Sequence, residues 1–343
     1  MVVLSKKIIR VLVVDDSILF REVLSKGISS DPGIEVVATA NDPYDARDKI
    51  VKYRPDVMTC DVEMPKMNGI EFIRQLIPQY PLPVITVSSV NGVVFDAINA
   101  GAVDFVAKPD LNSVDSVKSF IGELIEKVKT ASMAKVILEE KSQTLDKIGT
   151  NKKSNVNRII AIGASTGGTE AIHRIIKDLP KNTPGIVIVQ HIPPVFSRMF
   201  AERLNSSSAL NAKEARTGDF IKPGQVLVAP GDRHMKVVKI GDHYKVQCFS
   251  GEKVNGHCPS VDVLFESVAK EAGSNAIGVI LTGMGYDGAK GLLSMRRGGA
   301  RTIGQNEQSC VVYGMPRVAF NIGAVEKQAS LGNIARLIYK LSE

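Results

Sequence analysis

The first 110 residues alternate short apolar runs with amphipathic, helix-like stretches, and this alternation restricts the fold more than any other feature of the chain. Five runs have the length and composition of buried strands: 8–14, 36–40, 57–60, 84–87 and 105–107. Strands that alternate with helices predict an α/β fold with an open parallel sheet. The functional residues of such a sheet gather just beyond the carboxyl ends of its strands.

Polar and charged residues follow four of these runs. Asp15 and Asp16 come after the first run, Asp61 after the third, Ser88 after the fourth and Lys108 after the fifth. Clustered carboxylates repel one another unless a cation joins them, and Mg²⁺ prefers this oxygen-rich ligand set. Alternatively, one of the two leading aspartates caps the first helix, which leaves the lysine unexplained. The sequence therefore predicts a cation site at this edge.

A glycine-rich turn in the second half carries a candidate nucleophile. Residues 163–168 read Gly-Ala-Ser-Thr-Gly-Gly, follow the apolar run 158–162 and precede a helix-like segment that begins near Thr169. The turn matches G-x-S-x-G, in which small residues allow a sharp bend that exposes Ser165 at a helix N-terminus. A turn that only packs closely or holds a phosphate is the alternative, and the motif alone slightly favours it.

Two further strand ends offer partners for Ser165. The apolar runs 185–190 and 276–282 are typical of buried parallel strands. His191 follows the first run at once, and Asp287 follows the second after a turn-prone stretch. Because a doubly wound sheet brings strand ends together, we expect these three side chains to form a nucleophile, base and acid set.

Other residues compete for the roles of base and acid. The remaining histidines lie in helix-like, loop-like or turn-like stretches and are interpreted as structural or exposed: His173, His234, His243 and His257. His191 could itself be a strand-end histidine held by the prolines that follow it. Asp232 and Asp262 are rival acids, although neither follows an apolar strand as directly as Asp287 does.

Composition limits the class of protein. A length of 343 residues suits two domains. The chain is 44% hydrophobic, but none of its uninterrupted apolar runs approaches the roughly 20 residues that a membrane span requires. Its first residues also lack a signal cleavage region. We therefore expect a soluble, cytoplasmic protein without membrane insertion. Its four cysteines show neither disulfide-framework nor zinc-site spacing.

Charge is divided unevenly along the chain. Residues 1–130 carry 15 Lys and Arg against 18 Asp and Glu, whereas residues 158–343 carry 23 against 15. The basic residues of the second half are scattered, aromatic residues are few, and no helix-turn-helix or RNA-binding signature is present, so we expect no nucleic-acid partner. An acidic protein partner fits this charge better.

A junction separates the two halves. Apolar residues at helical spacing from about 113 to 140 predict a last helix that continues into a helical extension. Met133, Val136, Ile137 and Leu138 are interpreted as its core-facing residues in preference to a recognition site, and they could line the interface between the domains. The polar stretch 141–157 has the composition of an exposed linker. We therefore predict a first domain over 1–130, an extension and linker over 131–157, and a second domain over 158–343.

Three motifs give the first domain a family resemblance. Residues 14–17 (Val-Asp-Asp-Ser), residues 61–65 (Asp-Val-Glu-Met-Pro) with Asn68-Gly69, and Lys108-Pro109 resemble the receiver domain of two-component response regulators. The resemblance covers residues 8 to about 128 and implies a (βα)5 fold. It implies that Asp61 accepts a phosphoryl group and that Lys108 pairs with the phosphoryl oxygens. It also implies that Mg²⁺ is held by Asp16, Asp61 and the main-chain carbonyl of Glu63, with Asp15 in the same site. Ser88 and Phe105 would be the switch residues.

The second domain resembles a different family. Its motifs at 162–172, 190–194, 229–232, 259–262, 281–288 and 309–316 are similar to those of CheB, the chemotaxis protein-glutamate methylesterases. The resemblance extends from about residue 158 to the C-terminus and implies a doubly wound, mainly parallel α/β domain. It maps the family's catalytic triad onto Ser165, His191 and Asp287. The order Ser, His, Asp differs from that of α/β-hydrolases, so the shared turn motif would be convergent.

Together the two resemblances imply a function. The chain would be a phosphorylation-activated hydrolase of glutamate γ-methyl esters on chemoreceptors, would release methanol, and would also deamidate receptor glutamines in chemotactic adaptation. A chemotaxis histidine kinase would be the phosphodonor and the cytoplasmic helices of methylated chemoreceptors the substrate, with recruitment to chemoreceptor arrays. The esterase would need no cofactor. Main-chain N–H groups near Thr166 or Met284 are candidates for stabilising the oxyanion. A binding-only regulator and a small-ester hydrolase are the alternatives.

Overall fold

The computed structural model describes residues 7–89, 91–136 and 158–342. The chain divides into two compact units, Met1–Leu138 and Glu139–Glu343. This division falls inside the segment 131–157 that the sequence predicts to be the junction. Each unit is built around its own sheet.

The first unit contains five parallel strands in the order β2-β1-β3-β4-β5. The strands are β1 (Ile9–Val14), β2 (Ile34–Ala40), β3 (Val57–Asp61), β4 (Val84–Ser88) and β5 (Asp104–Ala107). The helices between and after them are α1 (Ile18–Ile28), α2 (Pro43–Tyr53), α3 (Gly69–Leu76), α4 (Val94–Asn99) and α5 (Val114–Ala131). The predicted alternation of five strands with helices and the open parallel sheet are confirmed.

Side-chain caps fix where these helices begin, which sets the loops that carry the functional residues. The hydroxyl of Ser17 accepts a hydrogen bond from the Phe20 N–H, and the side chain of Asn68 accepts one from the Glu71 N–H. Such caps satisfy N–H groups that have no partner within the helix. Since α1 starts immediately after the cap at Ser17, the loop that follows β1 is only three residues long.

The predicted helical extension beyond residue 131 is wrong over residues 132–136. Helix α5 ends at Ala131, and the N–H groups of Met133 and Ala134 bond to carbonyls three residues earlier, in a tightened final turn. The Ser132 hydroxyl donates to the Lys129 carbonyl and competes with continued helix. Met133 is 54% exposed, so its predicted core-facing position is also wrong. The rest of the predicted extension and linker, 137–157, lies outside the described residues.

The second unit contains a seven-stranded parallel sheet in the order β14-β13-β12-β6-β7-β9-β8 and a separate antiparallel hairpin, β10-β11. The strands are β6 (Ile159–Ala164), β7 (Gly185–Gln190), β8 (Asn211–Glu214), β9 (Gln225–Val228), β10 (His234–Ile240), β11 (His243–Phe249), β12 (Ala276–Ile280), β13 (Arg301–Gln305) and β14 (Lys327–Ala329). The helices are α6 (Gly168–Asp178), α7 (Pro194–Ser207), α8 (Val261–Ala272), α9 (Ala289–Arg297), α10 (Met315–Asn321) and α11 (Leu331–Ser342).

The order of this sheet reverses between β6 and β12. The chain proceeds from β6 through β7 toward one edge and later from β12 through β13 toward the other. A reversal of this kind is a topological switch point, where open α/β sheets place their ligand sites. All residues of β6, β7 and β12 are buried, as expected for central parallel strands.

The hairpin covers one side of this unit through its inner face. Met235, Val237 and Val246 of the hairpin belong to the same buried apolar cluster as Leu264 and Val268 of α8. The hydroxyl of Ser267 accepts a hydrogen bond from the Val237 N–H across this contact. None of the helices in the described parts of the chain has the length and apolar character needed to cross a membrane.

Candidate functional site

Ser165 lies in the tight turn between β6 and α6, which confirms the predicted strand, turn and helix. The turn excludes side chains larger than hydrogen at its glycines. A Cβ on Gly163 would lie 2.1 Å from Val261 Cγ1, and one on Gly168 would lie 2.6 Å from Ala164 Cβ. Gly167 has φ 76°, in the left-handed region that glycine adopts readily. The glycines of the motif are therefore required by close packing and by backbone conformation.

Two neighbouring segments hold the backbone of Ser165. Its N–H donates to the Thr282 carbonyl at 3.0 Å, and its carbonyl accepts from Gln190 Nε2 at 2.8 Å. A Cβ on Gly283 would lie 2.7 Å from Ser165 Cβ, so the segment after β12 passes directly against the serine. The sequence does not reveal this role of Gln190, because nothing in it gives the direction of the amide.

Strand register brings His191 to the same place. Ala164 at the end of β6 pairs with Gln190 at the end of β7, so Ser165 and His191 occupy the next positions along two adjacent strands. The His191 N–H donates to the Ala164 carbonyl at 3.2 Å. The predicted approach of these two strand ends is thus observed in the backbone.

His191 and Asp287 are joined by a side-chain hydrogen bond. His191 Nε2 lies 2.9 Å from Asp287 Oδ2, and the two side chains are 8% and 1% exposed. The rival acids do not replace Asp287 in this contact, since neither Asp232 nor Asp262 is hydrogen-bonded to His191 within the described residues. Asp262 instead accepts from the Gly291 N–H and from Asn255 Nδ2, both at 2.7 Å.

The carboxylate of Asp287 is held by donors from three segments. Besides His191, the donors are Asn255 Nδ2 at 2.7 Å, Ser260 Oγ at 2.8 Å, Val261 N at 2.7 Å and Asp262 N at 3.2 Å. Burial alone would raise the pKa of Asp287, but the hydrogen bonds from His191 and Asn255 and the charge of His191 lower it well below its ordinary value. Asp287 is therefore an ionised acceptor in a fixed orientation.

The two ring nitrogens of His191 have different surroundings. Nε2 is bonded to Asp287, whereas Nδ1 is buried and has no hydrogen-bond partner among the described residues. No hydrogen bond joins Ser165 Oγ to His191 in the described part of the chain. Catalytic hydrogen bonds are often long without substrate and tighten in the complex. Nδ1 is consequently the nitrogen left to accept a proton.

His257 contacts the candidate base, a contact that the interpretation from the sequence did not include. Its ring stacks on that of His191 with centroids 3.6 Å apart and planes 12° apart. The interpretation as a structural or exposed residue agrees with the structure for the others: His173 bonds to Ser207, His234 bonds to Ser260 and Glu252, and His243 is exposed. The Asn-Gly pair at 255–256 is a hairpin-turn signal that could have indicated where His257 lies.

The two oxyanion candidates belong to the segments that border Ser165. Thr166 follows the serine directly, and its carbonyl accepts from Thr282 Oγ1 at 3.0 Å. Met284 follows Gly283, whose backbone packs against the serine. Both main-chain N–H groups therefore belong to backbone that is fixed close to the candidate nucleophile.

The first unit has an acidic cluster at the carboxyl ends of β1 and β3. Oxygen atoms of Asp15, Asp16 and Asp61 all lie within 4.8 Å of one another. Lys108 Nζ lies 2.6 Å from Asp61 Oδ2 and 2.8 Å from Asp15 Oδ2. The cap of α1 is Ser17, so neither leading aspartate takes the capping role that was the alternative.

This donor set fits a divalent cation. Burial and the charge of Asp15 raise the pKa of Asp61, and they outweigh the opposing effect of Lys108. A cation would relieve that repulsion, and three carboxylates supply the hard oxygen ligands that Mg²⁺ prefers. The N–H of Glu63 donates to Asp61 Oδ1 at 3.2 Å, which places this residue beside the cluster.

The two predicted switch residues are buried in the same unit. Ser88 ends β4, and its carbonyl accepts from the Lys108 N–H at 3.0 Å. Phe105 lies on β5 with its ring centroid 6.4 Å from that of Phe95, in an edge-to-face arrangement. The Lys127 ammonium lies 5.2 Å from the Phe105 ring centroid. Phe105 is thus packed inward in this structure.

Comparisons with protein-family models match both units. Residues 160–338 match the CheB methylesterase model, and residues 11–116 match the response regulator receiver domain model. The catalytic domain of Thermotoga maritima CheB methylesterase, a solved structure, is 38% identical, with a TM-score of 0.53, over 54% of this chain and 98% of that one.

Relatives with curated names match nearly the whole chain. A protein named protein-glutamate methylesterase/protein-glutamine glutaminase 2 from Syntrophomonas wolfei is 58% identical over 334 residues, 97% of each chain. A protein named protein-glutamate methylesterase/protein-glutamine glutaminase from Salmonella typhi is 47% identical over 339 residues, again 97% of each. Both resemblances seen in the sequence are confirmed, and the chain belongs to the CheB methylesterase family, with a receiver domain ahead of its methylesterase domain.

Proposed function

We propose that this chain is a phosphorylation-activated protein-glutamate methylesterase and protein-glutamine glutaminase. It hydrolyses glutamate γ-methyl esters on methyl-accepting chemotaxis proteins, releases methanol and deamidates receptor glutamines, and so serves adaptation in chemotaxis. The observation that carries this proposal is the hydrogen bond between His191 and Asp287 beside Ser165 at the switch point of the sheet. The names of the relatives supply the substrate class.

Ser165, His191 and Asp287 act as nucleophile, base and acid. His191 Nδ1 takes the hydroxyl proton as Ser165 Oγ attacks the ester carbonyl, and Asp287 stabilises the imidazolium through Nε2. The tetrahedral intermediate then collapses, the bond to the methoxy oxygen breaks, and His191 returns the proton, so that methanol leaves. The products of this half-reaction are methanol and an acyl-enzyme on Ser165.

Water completes the cycle with the same groups. His191 removes a proton from water as it attacks the acyl carbonyl, and the proton returns to Ser165 Oγ as the glutamate carboxylate departs. The N–H groups of Thr166 and Met284 stabilise the oxyanion in both halves, and one such donor is typically worth about 3 kcal/mol of barrier. A glutamine side chain follows the same course with ammonia as the leaving group.

The first unit serves as the switch. Asp61 accepts a phosphoryl group from a chemotaxis histidine kinase, and Lys108 pairs with the phosphoryl oxygens. Mg²⁺ held by Asp16, Asp61 and the main-chain carbonyl of Glu63 would neutralise charge at this site during phosphoryl transfer. A phosphoryl group adds charge and acceptor oxygens, which draw in the Ser88 hydroxyl and reorient Phe105. The esterase itself uses no cofactor.

The organisation of the chain follows from these roles. The receiver domain spans 1–130, the junction 131–157 and the methylesterase domain 158–343. The excess of basic residues in the last segment favours an acidic protein surface, which we take to be the cytoplasmic helices of chemoreceptors. The protein then works in the cytoplasm at chemoreceptor arrays, without a nucleic-acid partner or membrane insertion.

Methanol release from methylated receptor membranes tests the esterase. We expect release by the full chain, loss of at least about 10⁴-fold in Ser165→Ala, and unchanged release in the matched control Ser206→Ala, a surface serine of α7. Release that persists in Ser165→Ala would contradict the assigned nucleophile. A wild-type chain that binds receptors and releases neither methanol nor ammonia would instead be a binding-only regulator.

A further inference from the structure

A four-residue turn, Val254–His257, contacts both partners of the His191–Asp287 pair. Val254 and His257 exchange two backbone hydrogen bonds of 3.0 Å each. The central residues Asn255 and Gly256 have φ values of 53° and 85°. Positive φ at both central positions is the conformation for which Asn-Gly is the preferred pair in two-residue hairpins. The turn is therefore locally determined and presents its side chains in a fixed direction.

The amide of Asn255 joins two carboxylates. Its Nδ2 atom lies 2.7 Å from Asp287 Oδ1 and 2.7 Å from Asp262 Oδ2. One amide nitrogen carries two hydrogens, so each carboxylate receives one. Asp287 and Asp262 are 1% and 4% exposed, so water has little access to screen their repulsion. The amide thus stands between two buried like charges that would otherwise face each other.

His257 limits the movement of the base. Its ring lies parallel to that of His191 at van der Waals contact, 3.6 Å between centroids. Burial and the neighbouring His191 lower the pKa of His257 to about 4, although Asp287 opposes this shift. His257 is consequently uncharged near neutral pH. A flat, neutral partner restricts rotation of His191 without adding a second positive charge next to it.

We propose that the Val254–His257 turn positions the catalytic pair, His191 and Asp287. Asn255 keeps Asp287 ionised and directed at His191 despite the nearby charge of Asp262. His257 fixes the ring plane of His191. Both are positioning residues, since neither is placed on the reacting atoms. His191 then keeps Nε2 on Asp287 and leaves Nδ1 to take the proton of Ser165. This inference rests on the catalytic roles given to Ser165, His191 and Asp287 in the proposed function.

The charged groups around Asp287 determine how the activity should depend on pH when Asn255 is replaced. The titratable groups of this region, from the end of β7, the turn and its flank, α8 and α9, are His191, Lys253, His257, Asp262, Glu266 and Lys290. Burial raises the pKa values of both Asp262 and Glu266, and neighbouring carboxylates, Asp287 among them, raise these pKa values further by repulsion between like charges. Without the amide of Asn255, the His191–Asp287 pair would bind a proton at higher pH. Activity would therefore begin to fall at a higher pH on the acid side of the pH profile.

Variants of the full chain distinguish the contribution of the Asn255 amide from those of the turn conformation and of the His257 ring. Asn255→Gly removes the amide but keeps a residue that tolerates positive φ. His257→Phe keeps a flat ring over His191, and His257→Ala removes it. Glu252→Gln changes an exposed neighbour and is the control. Each variant is assayed for kcat and KM of methanol release from pH 5 to pH 9, and its thermal unfolding midpoint is measured to verify the fold.

We expect Asn255→Gly to lower kcat by about 10-fold or more with KM nearly unchanged, and to move the acid limb of the profile upward by about one pH unit. His257→Ala should lower kcat by a similar factor, and His257→Phe should restore it to within about 3-fold of wild type. Wild-type kcat and an unchanged acid limb in Asn255→Gly would overturn the inference for the amide. Equal activity of His257→Ala and wild type would overturn it for the ring.

Nitrogen-15 NMR of histidine-labelled chains provides a readout that needs no substrate. The wild type and His257→Phe should show the His191 proton on Nε2 in a low-field, hydrogen-bonded signal, and Asn255→Gly and His257→Ala should lose it. Retention of this signal in both of the latter variants would contradict the inference. If the wild type released no methanol but Asn255→Gly and His257→Ala still lost the Nε2 signal, the positioning role would stand and only the proposed substrate would be rejected. Failure of the inference can therefore be distinguished from failure of the proposed function.

Discussion

His191 Nε2 lies 2.9 Å from Asp287 Oδ2, although 96 positions separate the two residues in the chain. The contact forms because β7 and β12 flank β6, so their carboxyl ends reach the same edge of the sheet. Four other donors hold the same carboxylate, which leaves it little freedom to turn away from the imidazole. The acid of the proposed triad is thus positioned before any substrate arrives.

Replacement of Asp287 tests the choice of acid. Asp287→Asn keeps the size of the side chain but removes the charge that stabilises the imidazolium, so we expect methanol release to fall by about 10⁴-fold. The matched control is Asp262→Asn, which removes the rival acid and should lower release by less than about 10-fold, because Asp262 is hydrogen-bonded to Asn255 and Gly291 rather than to His191. The opposite ranking of the two variants would identify Asp262 as the acid.

Gly283 should be essential for the position of Ser165. A Cβ at this residue would lie 2.5 Å from Met315 Sδ and 2.7 Å from Ser165 Cβ, so Gly283→Ala must displace the nucleophile or its neighbour. We expect a loss of about 100-fold in kcat for methanol release. Gly332→Ala in α11, where an added Cβ meets nothing within 4 Å, should retain wild-type activity. Full activity of Gly283→Ala would show that the turn tolerates displacement.

Glu170 should stabilise the second unit in a pH-dependent way. Burial alone would raise its pKa, but the nearby His173 and the hydrogen bonds from Arg203 and Arg174 lower the pKa of Glu170 to about 2. A carboxylate with a depressed folded-state pKa stabilises the fold above its ordinary, unfolded pKa of 4.5, and that stabilisation is lost as the pH falls toward 2.

We therefore expect Glu170→Gln to lower the free energy of unfolding by about 2 kcal/mol at pH 7, with a difference from wild type that shrinks below pH 4. Chemical unfolding of both chains at several pH values measures this difference. The exposed Glu202→Gln is the control, because its partner Arg198 is also exposed and such pairs contribute little. An equal difference at pH 7 and pH 3 would assign the loss to packing rather than to charge.

Lys108 and Mg²⁺ should substitute for one another in stabilising the acidic cluster. Lys108→Met leaves Asp15 and Asp61 buried without their common cation, so we expect the free energy of unfolding to fall by about 3 kcal/mol without metal. Added MgCl₂ should recover part of this loss and should raise the unfolding midpoint of the variant more than that of the wild type.

Lys66→Met is the matched control for this experiment, since the exposed Lys66 side chain pairs with Asp42, outside the cluster. Its unfolding midpoint should respond to MgCl₂ as the wild type does. A Lys108→Met chain whose stability is indifferent to Mg²⁺ would contradict a cation site at these carboxylates.

The first sheet and the three central strands of the second sheet, β6, β7 and β12, could be predicted from the sequence because buried parallel strands are short and continuously apolar. The run 185–190 coincides with β7, and the runs of the first unit differ from the observed strands by two residues or fewer at either end. Helix α5 was predicted too long, since the apolar spacing continues past residue 131 whereas Ser132 bonds to the helix backbone and the chain turns.

The candidate site was only partly predictable. Ser165, His191 and Asp287 follow strand ends, and parallel topology alone brings such positions together. Asn255 and His257 belong to a hairpin turn outside the parallel sheet, so strand-end reasoning gives them no place. Their contacts with Asp287 and His191 depend on the direction of side chains across a tight turn, which apolar periodicity does not specify.

In the proposed function, one chain combines a phosphorylation switch with a serine methylesterase. The most direct test is methanol release from methylated receptor membranes by the wild type, Ser165→Ala and Asp61→Asn, each with and without acetyl phosphate and Mg²⁺. We predict release by the wild type that rises with acetyl phosphate, no rise in Asp61→Asn, and no release by Ser165→Ala. Equal stimulation of Asp61→Asn would reject Asp61 as the phosphorylation site, and release by Ser165→Ala would reject Ser165 as the nucleophile.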